Sequence, residues 1–292
     1  MNLDLLPDAM AGALVLGAMY TVIAMGWVII FRATHVMNFA TGEYVVLGAM
    51  LLYVALEASL PLLVALPVAL ALAGLSGVVT HYAVMRPLAG QPAFAGVIVT
   101  FGMATVLSAI IVMTWGGERR VLPTSVDNRA YELPGGAIIT LFGIVTIVVV
   151  LLVYLAVLGF LRWSRLGAQM RAAAENPGLA SQLGVDINRI FGLSWALALA
   201  VATIGGVSFA FSNSLSIELG QLGLRGLAPA LVGGFDSVKG ALAGGFIVAI
   251  AENLAVLWLG GGASQAAAFA VLLVFLAVRP YGLFGTPEVR RV

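Results

Sequence analysis

The stretch AMAGALVLGAMYTVIAMGWVIIF, Ala9–Phe31, runs for twenty-three residues without one charged side chain. A helix that crosses a bilayer needs about 20 mostly apolar residues, so this run is long enough to span. In lipid every backbone N–H and C=O must be paired internally, and a single segment achieves that only as a helix. The same test, stretches free of Asp, Glu, Lys and Arg, works outward along the chain. It picks out Tyr44–Leu56, Ala58–Met85, Pro87–Gly117, Leu133–Leu161, Ile190–Ile217, a short Gly226–Phe235, and Gly240–Val278 interrupted by Glu252. The glycine run Gly260, Gly261, Gly262 divides the last stretch into two helices. The expectation is an all-α integral membrane protein, a polytopic bundle of about eight full transmembrane helices plus a short or broken one.

Composition supports this reading. Of the 292 residues 62% are hydrophobic and 9% are charged, whereas a soluble domain carries about 25% charged residues. A net charge of +1 and the lack of any basic run give no footing for nucleic acid. There are no cysteines, which removes disulfides, thiolate metal sites and thiol nucleophiles. His35 and His81 are isolated and form no metal set. No nucleophile with a base and an orienting partner is visible, so no catalytic residue is expected. Asp4 and Asp8 precede a first apolar run long enough to remain as a span, so no cleaved signal peptide is expected.

Lys and Arg in short loops favour the cytoplasm. Arg162, Arg165, Arg171 and Arg189 cluster around one loop, and Arg279, Arg290 and Arg291 lie in the tail. Both are placed inside, with Arg32 and Arg86. The loop at 116–137 mixes Arg119, Arg120 and Arg129 with Glu118, Asp127 and Glu132, which suits the outer face. This map closes only if Gly226–Phe235 also crosses. The glycines Gly12, Gly17, Gly26, Gly240, Gly244 and Gly245 are read as close-packing positions between helices.

The longest inside loop is RWSRLGAQMRAAAENPGLASQLGVDINR, 162–189. Asn176 suits an N-cap, Pro177 the first helical position, and Gly184 a C-terminal stop. Leu179, Ala180 and Leu183 share an apolar face at helical spacing. A helix this short is unstable alone and must dock. The pattern leaves open whether it docks on a partner protein or on lipid and its own bundle.

Four stretches together carry a resemblance. RAAAENPGLASQLGVDINRI resembles the coupling segment of the permeases of branched-chain amino acid ABC importers, the LivH/LivM family, with Arg171, Ala172, Ala174, Asn176, Ala180, Leu183, Gly184 and Val185 on the family pattern. VMNFATGEYVVLGA, Val36–Ala49, is similar to the family's N-terminal motif, ALVGGFDSVKGALAGGFIVAIAEN, Ala230–Asn253, to its glycine-rich motif, and RPYGLFG, Arg279–Gly285, to its tail. The first and third point to the LivH-like half rather than the longer LivM-like one. The resemblance implies one transmembrane permease domain over 1–292 of the type II ABC-importer kind in the bacterial inner membrane, with tail 279–292 cytoplasmic. It implies a second, LivM-like permease, two ATPase subunits, and a periplasmic or lipid-tethered substrate-binding protein as partners. ATP and Mg would be held by the ATPases, because this chain has no phosphate-binding loop of the G-x-x-x-x-G-K-[ST] type. Arg171, Ala174, Glu175, Asn176, Ala180, Leu183 and Gly184 would form the ATPase-coupling helix. The competing reading is a self-contained proton- or ion-coupled secondary transporter with Glu43 and Glu252 as carriers.

Ionisable groups at membrane depth are costly and are candidates for function. Asn38, Thr41, Glu43, Glu252 and Asn253 are the candidate pathway-lining residues. Glu43 also suits the first turn of a helix, and Glu252 also suits an outer interface. The family pattern often has His or Gln where Thr41 stands, so the substrate stays open. A local ion pair is expected between Asp236 and Lys239. Asn213, Ser214, Ser216, Glu218 and Gln221 form a polar outer stretch, for the binding protein or for solvent.

Overall fold

Apolar side chains gain little from leaving lipid for one another, so membrane helices associate through close backbone contact at small residues. The computed structural model, which describes residues 3–286 except Ser125, is assembled on that rule. In chain order its elements are α1 (Leu6–Thr34), α2 (Thr41–Glu57), α3 (Leu62–Thr80), α4 (Ala93–Trp115), the strands β1 (Ala130–Glu132) and β2 (Ile138–Thr140), α5 (Leu141–Trp163), α6 (Arg165–Glu175), α7 (Pro177–Gln182), α8 (Ile187–Ser212), α9 (Leu219–Arg225), α10 (Leu227–Gly233), α11 (Val238–Leu259) and α12 (Ala263–Val278). Among the described residues six helices are long and apolar enough to cross a membrane. The 17-residue α2 and 16-residue α12 bring the long apolar helices to eight, as the charge-free runs predict.

The central helices are α1 and α8, 78% and 72% buried in their apolar windows against 17% for α4. On one side of α1 runs α11. A Cβ on Gly245 would lie 2.6 Å from Thr21 Oγ1 and 2.9 Å from the Gly17 carbonyl. On the other side, a Cβ on Gly26 would lie 2.8 Å from the Cβ of Ala202 on α8. The glycines of the first and last spans are thus packing positions. Gly48 of α2 is filled in the same way by Thr203 of α8.

The two ends of the bundle are separately tied. At one end Asp8 accepts from Ile138 N at 2.7 Å, and Arg120 and Leu215 exchange backbone hydrogen bonds at 2.8 Å. Arg119 pairs with Glu218 at 2.8 Å on the exposed rim. At the other end lie Arg32, Arg162, Arg171 and Lys239, all lining one cavity. The chain enters α9 at the first end and leaves α10 at the second, so this segment crosses. It does so as two seven-residue helices meeting at Gly226.

Three details differ from the sequence reading. The segment before α5 is not helical: residues 133–140 belong to a β1–β2 hairpin, with Ala130 opposite Thr140. α9 was not foreseen, since Glu218 and Arg225 bracket a run too short to read as a span. Asp236 and Lys239 do not pair. Asp236 instead accepts hydrogen bonds from the backbone N (3.0 Å) and the hydroxyl of Thr286, beyond α12. Arg290 and Arg291 of the tail lie outside the described residues.

Gly245→Val forces side-chain atoms against the α1 backbone. Overpacking of this kind costs about 1–3 kcal/mol. The expected outcome is a lower midpoint of thermal unfolding for purified G245V in detergent, with little change for Gly261→Ala, whose surroundings are open.

Candidate functional site

Three groups of residues concern function, and they lie in different parts of the molecule. The first is the basic loop. Ser164 caps α6 by accepting from Gly167 N at 2.8 Å. Asn176 then caps α7 by accepting from Leu179 N at 2.9 Å, and Pro177 occupies its first position. Gly184 stops the turn at φ +85°. The loop is thus two consecutive helices rather than one, and the second has six residues. Arg171, Ala174 and Glu175 lie on α6, ahead of the cap.

The apolar face of α7 divides. Ala180 is buried, but Leu179 and Leu183 are 54% and 77% exposed. The expectation that all three share one docked face therefore fails within this chain. Of the three only Ala180 packs inward, and its carbonyl accepts from Val185 N as the chain turns out of the helix. Met170, Ala173 and Ile190 form a small separate core that holds α6 against the start of α8. That core gives the projecting leucines a fixed base.

The second group surrounds the start of α2. After α1 the chain turns back into the bundle. Phe39 stacks on Phe101 with ring centroids 4.3 Å apart and meets the edge of Trp27 at 5.6 Å. Trp27 is about two turns before the end of α1, so α2 begins at depth, which is why its span is short. Asn38 Oδ1 accepts from Ala40 N at 3.2 Å, and the Thr41 hydroxyl donates to the Asn38 carbonyl at 2.7 Å. Both residues are buried and build the turn. Two polar atoms there have no hydrogen-bond partner, Asn38 Nδ2 and Glu43 Oε2. Glu43 faces α9, where a Cβ on Gly220 would lie 3.1 Å from its Oε1.

The third group is the Glu252 seam. Glu252 is buried between three helices, accepting from Tyr20 of α1 at 2.8 Å and from Ser264 of α12 at 2.9 Å. Both carboxylate oxygens are therefore engaged. Arg225, at the break between α9 and α10, adjoins the same pair. Asn253 donates to the Ala249 carbonyl of its own helix at 2.9 Å, and its Oδ1 fills the space left by Gly12. Tyr20, Ser264 and Arg225 were not singled out from the sequence. Arg225 was findable, as a lone cation between two short apolar runs. Tyr20 was not, since it is 232 positions from its partner.

Of the polar outer stretch, Ser216 is buried and Glu218 pairs with Arg119, while Asn213 is exposed. Among the described residues no cluster of three or more His, Cys, Asp or Glu could hold a metal ion.

Residues 9–278 match the model of a family described as branched-chain amino acid transport system / permease component. The chain is 28% identical to the high-affinity branched-chain amino acid transport system permease protein LivH of Escherichia coli, covering 97% of this chain and 96% of that one. It is 27% identical to the BraD permease protein of Pseudomonas aeruginosa, covering 97% of each. It is also 27% identical to the probable LivH of Methanocaldococcus jannaschii, over 94% of this chain and 91% of that one. In fold it resembles a chain of PsaBC from Streptococcus pneumoniae in complex with Fab, at TM-score 0.53 and 15% identity over 96% of this chain and 94% of that one.

Replacing Glu252 with Ala leaves the Tyr20 hydroxyl without its acceptor and the Arg225 cation without its neighbouring carboxylate. A buried polar group left unpaired costs about 1–3 kcal/mol. E252A is expected to unfold at clearly lower temperature than Glu252→Gln, which keeps an acceptor oxygen. Equal midpoints for E252A and the parent chain would remove Glu252 from the packing account.

Proposed function

Since the chain belongs to the branched-chain amino acid transport system permease family, we propose that it is the LivH-like permease subunit of an ABC importer for branched-chain or other hydrophobic amino acids or a related small polar solute, and does not itself hydrolyse ATP. It is a multi-pass protein of the bacterial inner membrane. A second, LivM-like permease would supply the other half of the pathway, and a periplasmic or lipid-tethered binding protein the substrate. ATP and Mg would be bound by two ATPase subunits on the cytoplasmic side.

The observation that carries this reading is the exposed pair Leu179, on α7, and Leu183, at its C-cap. They project from the basic end of the bundle with no apolar cover of their own. Lipid is a poor partner for them, since α7 is flanked by the polar residues Glu175, Asn176, Asp186 and Asn188. A protein groove suits them better, in the manner of a short helix anchored by a few side chains. The capped, core-backed α6–α7 unit would then move as a rigid element when the ATPases close.

Asn38, Thr41 and Glu43 belong to the proposed pathway. Asn38 Nδ2 offers a donor and Glu43 Oε2 an acceptor, the complement of the carboxylate and ammonium of a zwitterionic amino acid. Glu252 and Asn253 fit the lining less well, because both side chains are engaged between helices. The same fact weighs against a secondary transporter that would use Glu252 as a proton carrier.

Leu183→Glu puts a charge where an apolar anchor is needed. Truncating or replacing an interface anchor commonly costs 2 kcal/mol or more, so ATP hydrolysis stimulated by the loaded binding protein should fall at least about tenfold. The measurement is steady-state hydrolysis by the complex assembled in vesicles. Unchanged coupling in L183E would take α7 out of the mechanism. Uptake of leucine by the chain alone, driven by a proton gradient and indifferent to ATP, would replace the importer reading with the secondary-transporter one.

A further inference from the structure

A cavity of about 1090 Å³ opens at the basic end of the bundle. Four cations line it from four separate pieces of the chain: Arg32 ends α1, Arg162 ends α5, Arg171 lies on α6, and Lys239 begins α11. His35 adds a further nitrogen base. Against these stand two carboxylates, and one of them, Asp236, is already held by Thr286. None of the four cations forms an ion pair with a described carboxylate. The preference of inside loops for Lys and Arg accounts for the sign of these charges. It does not account for their convergence on one hollow.

The other wall of the cavity is apolar and belongs to α5. Leu155, Leu158, Gly159 and Trp163 line it. Leu155 is half exposed, and the exposed face continues up the helix through Leu152, Leu151 and Val148. The cavity therefore opens onto an unpartnered apolar helix face. Trp163 is 81% exposed, as suits an aromatic at the headgroup level.

We propose that this cavity is a site for one anionic glycerophospholipid of the cytoplasmic leaflet. Its phosphate meets Arg32, Arg162, Arg171 and Lys239, and an acyl chain lies along the exposed face of α5. Basic pockets between transmembrane helices on the cytoplasmic side bind anionic headgroups by the same chemistry. The joined apolar wall favours a lipid over a soluble phosphate, which has nothing to place against Leu155. The position also has a consequence. A headgroup here touches α1, α5, α6 and the α10–α11 turn at once, so it braces the base from which α7 projects.

The test uses the full-length chain, with whatever partners co-purify, reconstituted in phosphatidylcholine vesicles. Brominated phosphatidylglycerol or brominated phosphatidylcholine is added at equal mole fraction, and quenching of tryptophan emission is read. The signal of Trp163 is isolated by difference against Trp163→Phe. Quenching of Trp163 should be several-fold stronger with the anionic lipid. Each basic side chain near an anionic headgroup contributes roughly fivefold in affinity, so R32Q/R162Q, which removes two of the four, should bring quenching by the two lipids close to equal. Arg119→Gln with Arg129→Gln, at the opposite end, should leave it unchanged. Equal quenching by the two lipids in the parent chain overturns the proposal whether or not the variants fold. So does abolition of the preference by inorganic phosphate, which makes the site one for a soluble anion. A preference seen in the isolated chain but lost in the assembled complex also overturns it, because the cavity is then a protein contact. The readout is lipid contact rather than transport, so these failures leave the importer reading untouched.

Discussion

Backbone meets backbone where α11 crosses α1, and the rest of the bundle depends on that approach. Gly245 lies against the Gly17 carbonyl, and Gly17 in turn accommodates the ring of Phe246. In water such a seam would be one contribution among many, because apolar side chains alone would drive helices together. In lipid they do not, and close packing at small residues takes over. The consequence is a central helix, α1, gripped by α11 on one side and by the equally central α8 on the other. The helices farther out, such as α4, are far more exposed, because little of their surface packs against the rest of this chain.

A short crossing is possible only with help from this frame. α9 and α10 break at Gly226, and a break at membrane depth frees backbone groups that must find partners. Trp27 of α1 donates its indole N–H to the Gly223 carbonyl at 3.0 Å. At the other end, the Leu283 and Phe284 N–H groups donate to Val232 and Gly233, each at 2.9 Å. The chain beyond α12 thus returns to finish α10. Its tight fit requires glycine at 234 and 282, which have φ of +107° and +76° and pack against each other. Asp236, freed from any local ion pair, holds Thr286 and closes the arrangement. Structure and proposed function meet here, since this clamp borders the basic cavity and the α6 helix that supports α7.

Much of this was legible beforehand. Charge-free length alone located the eight long helices, and the need for an even number of crossings called for a ninth segment at Gly226–Phe235. The Asn176 cap, Pro177 and Gly184 placed α7 to within a residue or two, because caps are local chemistry. The failures have a common cause. Ala130–Glu132 and Ile138–Thr140 pair across a turn, and a hydropathy scan cannot tell an apolar edge strand from the first turn of a span. α7 looked uniformly amphipathic, yet Leu179 and Leu183 stay exposed while Ala180 is buried. Asp236 and Lys239 are near neighbours in sequence, but Thr286, fifty positions on, is the actual partner of Asp236.

The sequence by itself determined what kind of solvent the protein lives in, where its long apolar helices lie along the chain, and where the cap and stop of α7 stand. Those properties depend on the transfer of one segment at a time and on bonds within three or four residues. The family motifs, local as they are, were readable in the same way. Only the tertiary structure decided which polar groups are free. Glu252 and Glu43 look alike in sequence, each a lone acid in an apolar run. Tyr20 and Ser264 engage both oxygens of Glu252, whereas Glu43 keeps one without a partner. Likewise four scattered cations became one cavity only when α1, α5, α6 and α11 were brought together. Whether a buried charge is satisfied depends on neighbours remote in the chain, and their positions are set by packing.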